Sequence, residues 1–444
     1  MDKAEREKLA RATLARSNAD QTEIRLSSSD IALTRFSKGI SNQNVAGTDQ
    51  SITVRAIVEG RTGVATTNRF DDASLDAVVQ QAIEMASFAP PNPMQPKLPA
   101  ESGIPHAPAG AYVDATAKAD PFQRGDIAGD IMTQADDAGY WGSGYVSTSS
   151  HGITIANTSG AIASFDGTDA ATNVKIVAED SSGFAERYSN DSGDIDGKAI
   201  GHRAVEKARA SAQPRAVDPG DWTVILEPAA FGELLQYLAS HFSAQSFDEG
   251  SSFFAGKLGE KFFSDAVTIE DDYSNEHAPG MSFDYEAHPK ERVLLVDRGV
   301  VKNFVTDSYY AKKLDRENTG HALPAPNASG PQALNIVVQA GSQSTDDLIA
   351  ETSRGLLVTR FWYIRTVDQK QAIVTGMTRD GTFLIENGRI TGGVRNMRFN
   401  QSIVEALARA KFSNDQHRTG GYSYSLVVPT AKIDGFRFTS TTEF

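Results

Sequence analysis

His241 is the first side chain that could do metal chemistry, because it ends a segment from Pro228 onward that has the pattern of an amphipathic helix. A helix that carries a hydrolytic zinc presents two His residues one turn apart, with a Glu beside the first, and the metal needs three protein ligands. No second His lies within a turn of His241, and the other seven histidines form no helical pair. The segment therefore predicts no metal site. A single His at this position more often serves as a cap-like or packed residue.

A second candidate is the loop that follows, where Asp248 and Glu249 stand beside glycines and serines. Two adjacent carboxylates could transfer protons, and His241 could act with either of them. The alternative is a connection between a helix and a strand, in which the glycines allow tight turns. Residue order alone leaves both interpretations open.

A third candidate is a strand-like segment at residues 359–365, followed by residues 376–381. Alternation along a strand predicts Arg360 and Trp362 on one face and Tyr363 and Arg365 on the other. Guanidinium and aromatic groups on both faces suit a cleft that grips a peptide and its carboxylates. The alternative is a buried strand whose arginines pair with acids. The residues expected to line the cleft or a dimer contact are Arg360, Tyr363, Arg365, Arg379 and Asp380.

Composition excludes several classes of function. The 444 residues carry 43 Lys and Arg against 57 Asp and Glu, a net charge of −14, which argues against nucleic acid as a partner. The chain has no Cys, so it has no disulfides, thiolate ligands or Cys nucleophiles. No apolar run is long enough to span a membrane, and the first twenty residues lack the apolar core of a signal peptide. A cytoplasmic protein is expected.

The elements that must position these side chains fall into two halves. We predict an N-terminal α/β domain at residues 1–215, in which strand patterns alternate with helices at about 71–89, 122–137 and 194–212. A Pro- and Gly-containing boundary leads to a strand-rich domain at residues 220–444. Turn signals at residues 297–299 and 387–388 predict two hairpins. The fold class is α+β with large, mainly antiparallel sheets, and no internal repeat is evident.

Three segments carry a resemblance to a known family. Residues 355–363, 375–388 and 394–399 resemble the C-terminal region of TldD/PmbA (TldE) proteins, and residues 250–260 and 323–327 match the same pattern. The resemblance implies an N-terminal α/β domain, a C-terminal domain of strongly curved β-sheets, and a dimer that encloses a chamber. It also implies degradation or trimming of unfolded peptides in the cytoplasm.

The resemblance also indicates a branch of that family. In TldD-type members a His-Glu-x-x-x-His helix and a later Cys bind one zinc. Here that helix falls at about Leu235 to Ser240, with His241 adjacent to the second ligand position, no Glu base, and no Cys in the chain. The resemblance therefore implies a TldE-like subunit without its own zinc, paired with a TldD-like subunit that holds the metal.

Three functional hypotheses follow. The first is a TldE-like, non-metal-binding subunit of a heterodimeric peptidase, which forms the chamber and the surface that binds an unfolded peptide. The second is a self-sufficient homodimeric hydrolase that uses His241 with Asp248 or Glu249. The third is a non-catalytic, peptide-binding homodimer.

Overall fold

The computed structural model describes residues 1–100, 103–420 and 425–442. In the N-terminal half, six strands form one antiparallel sheet in the order β3-β2-β1-β4-β5-β6. The elements are α1 (Lys3–Leu14), β1 (Gln21–Ser37), β2 (Ile40–Val58), β3 (Arg61–Thr67), α2 (Asp72–Phe88), α3 (Asp114–Ala117), α4 (Pro121–Asp137), β4 (Trp141–Asn157), β5 (Ile162–Val177), β6 (Ser182–Ser189) and α5 (Gly197–Ala210).

The N-terminal half is built from two similar units, although no repeat is evident in the sequence. Each unit runs helix, three strands, helix, and the two units meet where β1 pairs antiparallel with β4. The opening helices share a capping box, with Asp2 and Asp120 as N-caps, and each buries an Arg four residues later, Arg6 or Arg124. The sheet therefore has an approximate two-fold axis between its central strands.

Close helix–sheet packing recurs in both units at one glycine. A Cβ on Gly63 of β3 would lie 2.0 Å from the carbonyl oxygen of Ala82 in α2, and one on Gly183 of β6 would lie 2.1 Å from that of Ala204 in α5. Only glycine permits this approach of helix to strand. The closing helix of each unit is therefore seated directly on its outermost strand.

The C-terminal half contains an eleven-stranded mixed sheet. Its elements are β7 (Gly220–Leu226), α6 (Pro228–Ala239), α7 (Ala244–Asp248), β8 (Ile269–Asp271), β9 (Val293–Asp297), β10 (Val300–Val301), α8 (Ser308–Leu314), β11 (Asn335–Val338), α9 (Thr345–Ala350), β12 (Arg354–Asp368), β13 (Ile373–Glu386), β14 (Arg389–Gly393), β15 (Met397–Ser402), α10 (Ile403–Leu407), β16 (Ala410–Thr419) and β17 (Ser425–Thr441).

Five of these strands close into a ring in the order β7-β12-β13-β15-β17. The ring closes because β17 pairs with β15 on one side and with β7 on the other. Ring closure requires a curved sheet. Stacked and edge-on aromatic rings are buried in this half, including Phe361, Phe399 and Phe436. The prediction of an α+β fold with large curved sheets is confirmed.

The predicted turns and helices agree closely with the structure. Both hairpins form, β9 with β10 and β13 with β14, and their turn residues include Arg298 and Asn387 with positive φ. The sequence also predicts short strands at residues 23–26 and 31–36, and the structure joins them into the single strand β1. A further strand predicted at residues 422–428 lies partly outside the described residues. Within the described ranges, no helix combines the length and apolar composition needed to cross a bilayer.

Contacts between charged and polar side chains join the two halves. Arg55 of β2 pairs with Glu23 at 2.7 Å and reaches Glu286 of the C-terminal half at 3.2 Å. On the other side of the sheet, Thr419 of β16 donates a hydrogen bond to Glu186 of β6 at 2.7 Å. The edge strand β6 therefore lies against the C-terminal half.

Candidate functional site

The helix expected to carry a metal in TldD-type proteins is α6, and it is seated in the core. Its Pro228 occupies the first turn, where a missing N–H costs nothing, and Leu235 is 1% exposed within the main apolar cluster. Gln236 donates a hydrogen bond to the carbonyl of Glu233 in the same helix, and Ser240 lies 3.4 Å from the amide of Gln369. A leucine, a glutamine and a serine in these contacts do not fit the donor set of a hydrolytic zinc.

His241 is packed as a neutral acceptor. It lies in a short 3₁₀ turn after α6, is 1% exposed, and its Nδ1 accepts a hydrogen bond from the backbone N–H of Phe253 at 3.0 Å. Burial lowers the pKa of His241 to about 4. Its Nε2 lies 3.5 Å from the side-chain nitrogen of Gln369. The imidazole therefore stabilises the turn at Phe253.

The two carboxylates suggested as partners of His241 point elsewhere. Asp248 forms an ion pair with Lys313 of α8, and Glu249 accepts a hydrogen bond from Gln245 at 2.9 Å. The structure therefore does not bring His241, Asp248 and Glu249 together as a hydrogen-bonded set. Among the residues that the structure describes, no group of three or more His, Asp or Glu side chains is arranged to hold a metal ion.

The second predicted site lies on β12, and its side chains do not alternate as expected. Tyr363 adopts a positive φ of 57°, and the pairing of β12 with β13 shifts register between Trp362 and Arg365. As a result Phe361 and Ile364 are both buried in the core, whereas Trp362 and Tyr363 are 39% and 62% exposed. The predicted alternation was wrong because a bulge turns two neighbouring aromatic rings outward.

These outward rings form a surface with three arginines. The centroid of the Trp362 ring lies 5.0 Å from the guanidinium group of Arg360 and 5.1 Å from that of Arg379. The guanidinium group of Arg365 lies 5.3 Å from the centroid of the Tyr363 ring. Cation–π contacts of this kind hold aromatic rings in place while leaving their faces partly open. We call Arg360, Trp362, Tyr363, Arg365 and Arg379 the β12 aromatic surface.

Asp380 connects this surface to the N-terminal half. It is 3% exposed with a positive φ of 52°, accepts a hydrogen bond from Ser182 at 2.9 Å, and pairs with Lys175 at 3.0 Å. Its second oxygen lies 3.7 Å from Nε of Arg360, whose guanidinium also stacks over Phe184 at 4.3 Å. Asp380 and Arg360 therefore lie between the two halves of one chain.

Two buried glutamates beside this contact were missed by the sequence analysis. Glu233 of α6 accepts a hydrogen bond from the backbone N–H of Phe361 at 2.7 Å, and burial raises its pKa to about 8. Burial likewise raises the pKa of Glu186. In the sequence, Glu233 is a lone acidic residue inside the apolar run 229–235. Its contact with β12 becomes evident when α6 is packed against that strand.

A small cleft with a volume of about 50 Å³ opens between the halves at the start of α6. Glu227 at the N-cap of α6 forms ion pairs with Lys207 and with Arg203, the latter at 3.5 Å. Charged side chains of both signs therefore line the cleft, which is far smaller than a typical ligand pocket of about 300–1,000 Å³. Its lining residues are Phe184, Ala185, Glu186, Arg187, Arg203, Lys207, Glu227, Pro228, Ala229, Thr359, His417, Arg418 and Thr419.

Comparison with known protein families accounts for this architecture. The model of the PmbA/TldA metallopeptidase C-terminal domain matches residues 219–440, half of the chain, and models of domain 1 and the central domain match residues 22–86 and 112–212. The chain belongs to the PmbA/TldD family. The resemblance found in the sequence is confirmed.

The chain is also similar to solved structures and to curated sequences. It superposes on TldE of Thermococcus kodakarensis with a TM-score of 0.88 at 22% identity, over 98% of this chain and 99% of that one. An uncharacterized protein of Methanocaldococcus jannaschii is 25% identical over 88% of this chain and 89% of its own length. A metalloprotease TldD homolog of Haemophilus influenzae is 28% identical over 50% of this chain and 47% of its own length.

Proposed function

We propose that this chain is the TldE-like, non-metal-binding subunit of a TldD/TldE-type peptidase that degrades or trims unfolded peptides. In this proposal the chain walls the chamber and holds the peptide. The zinc and its hydrolytic water belong to a TldD-like subunit.

The observation that carries the proposal is the placement of α6. The resemblance to TldD-type proteins puts Leu235 and Ser240 at about the positions of the two His ligands, and Leu235 is enclosed by core side chains. His241, the remaining imidazole nearby, already uses Nδ1 to accept the N–H of Phe253. This arrangement favours a helix that supports β12 over a helix that activates water.

The peptide-binding part of the proposal rests on the free length of β12. Strand β7 pairs with β12 at Leu356 to Val358, and α6 then binds the N–H of Phe361 and the carbonyl of Ile364. The exposed end of β12 at residues 365–368 is paired with β13 alone. An extended peptide can add to a strand edge through backbone hydrogen bonds, which give affinity with little sequence preference. The exposed rings of Trp362 and Tyr363 would add contact area, and the three arginines would attract carboxylates.

The test is a reconstitution with the TldD-like subunit and an unfolded peptide whose cleavage is followed by mass spectrometry. We expect cleavage from the mixture, loss of cleavage with a chelator, and no cleavage from this chain alone. Cleavage by this chain alone in the presence of chelator would refute the proposal.

A matched pair of variants tests the binding surface. Trp362→Ala with Tyr363→Ala should weaken binding of the peptide to this chain at least tenfold, measured by fluorescence anisotropy. The control is Phe122→Ala on α4, which removes a ring that is 81% exposed on the other half of the molecule. Equal effects of the two changes would contradict a peptide site at β12.

A further inference from the structure

The small cleft at the start of α6 carries more positive than negative charge. Four Arg or Lys side chains line it against two Glu, although the whole chain has a net charge of −14. Burial also raises the pKa of Glu186, so this carboxyl group contributes less negative charge than an exposed one. A local excess of cations in an acidic protein concentrates anions at that place.

The ion pairs around the cleft do not neutralise these cations. Arg203 and Lys207 of α5 share a single carboxylate, that of Glu227, so together they keep one positive charge in excess. Across the described ranges, Arg187 of β6 has no carboxylate within ion-pair distance, although it lines the cleft. The cleft therefore holds guanidinium groups that are available to an anion from outside the chain.

Arg418 of β16 brings a further guanidinium group to the cleft from the C-terminal half. It donates to Asp169 at 2.5 Å and to the side-chain oxygen of Asn190 at 2.8 Å, and these bonds hold it in place. Arg187 and Arg418 also line a neighbouring cavity of about 240 Å³, so the cleft opens into a larger space. A ligand can therefore reach both groups.

The size and charge of the cleft favour a carboxylate as the anion. A space of about 50 Å³ admits a group of a few atoms and not a whole ligand. The planar fork of an Arg side chain matches the two oxygens of a carboxylate. Glu227 on the wall repels a doubly charged phosphate more strongly than a singly charged carboxylate.

The cleft adjoins the β12 aromatic surface. Phe184 of β6 lines the cleft, and the guanidinium group of Arg360 lies 4.3 Å from the centroid of its ring. The same guanidinium group lies 5.0 Å from the centroid of the Trp362 ring. One side chain therefore separates the cleft from the exposed rings, and a peptide that contacts these rings can place a carboxylate in the cleft.

We propose that Arg187, Arg203 and Arg418 bind a carboxylate of the peptide that the β12 aromatic surface holds. The C-terminal carboxylate of the peptide and the side chain of an Asp or Glu within it share this chemistry. The inference rests on the proposed function, because it takes the ligand to be a peptide. It adds the class of peptide that this chain selects.

The test measures peptide binding to the full-length chain by fluorescence anisotropy at low salt. One pair of labelled, unfolded peptides has no acidic residue and differs only in a free or an amidated C-terminus. A second pair is amidated and differs only in one internal Glu or Gln. We expect the carboxylate form of at least one pair to bind at least tenfold more tightly, and the pair that does so identifies the source of the carboxylate.

Variants assign this preference to the cleft. Arg187→Gln and Arg203→Gln should each reduce the ratio of affinities within that pair at least threefold, and Arg203 is 53% exposed, so its replacement tests the site without disturbing the fold. Arg11→Gln removes the same charge from an exposed position of α1 and should leave the ratio unchanged. Trp362→Ala with Tyr363→Ala should weaken both members of the pair equally.

The outcomes separate this inference from the proposed function. Equal affinities within both pairs would overturn the inference, and so would a ratio that Arg187→Gln and Arg203→Gln both leave unchanged. In either case the peptides still bind, and the proposed function stands. Absence of binding by all four peptides would refute the inference and the peptide-binding role together.

Discussion

Replacing Asp380 with Asn tests whether the contact between the two halves depends on the charge of this carboxylate. Asp380 is 3% exposed and is approached by Lys175 at 3.0 Å, Ser182 at 2.9 Å and Arg360 at 3.7 Å. Asn keeps the shape of the side chain and tolerates the positive φ of 52°, so the change removes charge without adding backbone strain. Replacement of Asp380 by Ala would combine the loss of the charge with added backbone strain at the positive φ.

The expected cost follows from the burial of the partners. Removing one member of a buried ion pair costs about 3–5 kcal/mol, because the other charge is left without compensation. Arg360 is 13% exposed, but Lys175 is 34% exposed and water can solvate its ammonium group. Asn also still accepts the hydrogen bond from Ser182. We therefore expect a loss of about 2–3 kcal/mol in the free energy of unfolding.

The assay is thermal unfolding followed by circular dichroism, together with urea unfolding at 25 °C. The unfolding entropy of a 444-residue chain is about 0.9 kcal/mol/K, so a loss of this size should lower the melting temperature by about 2–3 °C. Asp265→Asn is the control, because Asp265 pairs with Lys261 on the surface, where solvent screens the pair, and its replacement should leave the melting temperature unchanged. A loss below about 1 kcal/mol for Asp380→Asn would show that this carboxylate does not hold the halves together.

Two further predictions concern buried groups. Burial raises the pKa of Glu233 from 4.5 to about 8, so between these pH values the folded chain keeps a proton that the unfolded chain releases. The stability that this group contributes is therefore present below pH 4.5 and is lost as the pH rises toward 8. Urea unfolding at pH 5 and at pH 8 gives the free energy of unfolding of the unchanged chain and of Glu233→Gln. The difference between the two proteins should fall by up to about 4 kcal/mol from pH 5 to pH 8, and a difference that stays constant would contradict the prediction. Gly183→Ala places a Cβ 2.1 Å from the carbonyl oxygen of Ala204 and should cost about 3 kcal/mol or more in thermal unfolding. Gly129→Ala in α4 meets nothing within 4 Å and should be neutral or stabilising by up to about 1 kcal/mol, so similar effects of the two changes would refute the packing argument.

Local features of the fold could be predicted from the sequence because local interactions determine them. The Asp71 cap and the helical period of the apolar residues gave α2 to within one residue at each end, and Asn387-Gly388 specified a hairpin turn with two positive φ angles. Strand lengths were underestimated because the middle of a strand such as β1, at Ser27-Ser28-Ser29-Asp30, is polar and shows no alternation of apolar residues in the sequence. There the strand is held in the sheet by backbone hydrogen bonds to the neighbouring strand on each side, and not by an apolar face.

The β12 site shows what local patterns cannot specify. Arg360 and Asp380 were identified as important, but Lys175 and Ser182, the partners of Asp380, lie about two hundred positions away from it in the chain. Tyr363 has a positive φ that no local rule would assign to an aromatic residue, so tertiary contacts must hold it. Tyr237 contributes by donating a hydrogen bond to the carbonyl of Ile364 at 2.7 Å. The bulge therefore becomes visible only when α6 is packed against β12.

The most direct test of the central claim is the zinc content of the purified full-length chain, measured by mass spectrometry after dialysis against zinc and then metal-free buffer. The account predicts well below one zinc per chain, and an unchanged content in Leu235→Ala and His241→Ala. One tightly bound zinc per chain that is lost on replacing His241 would contradict it.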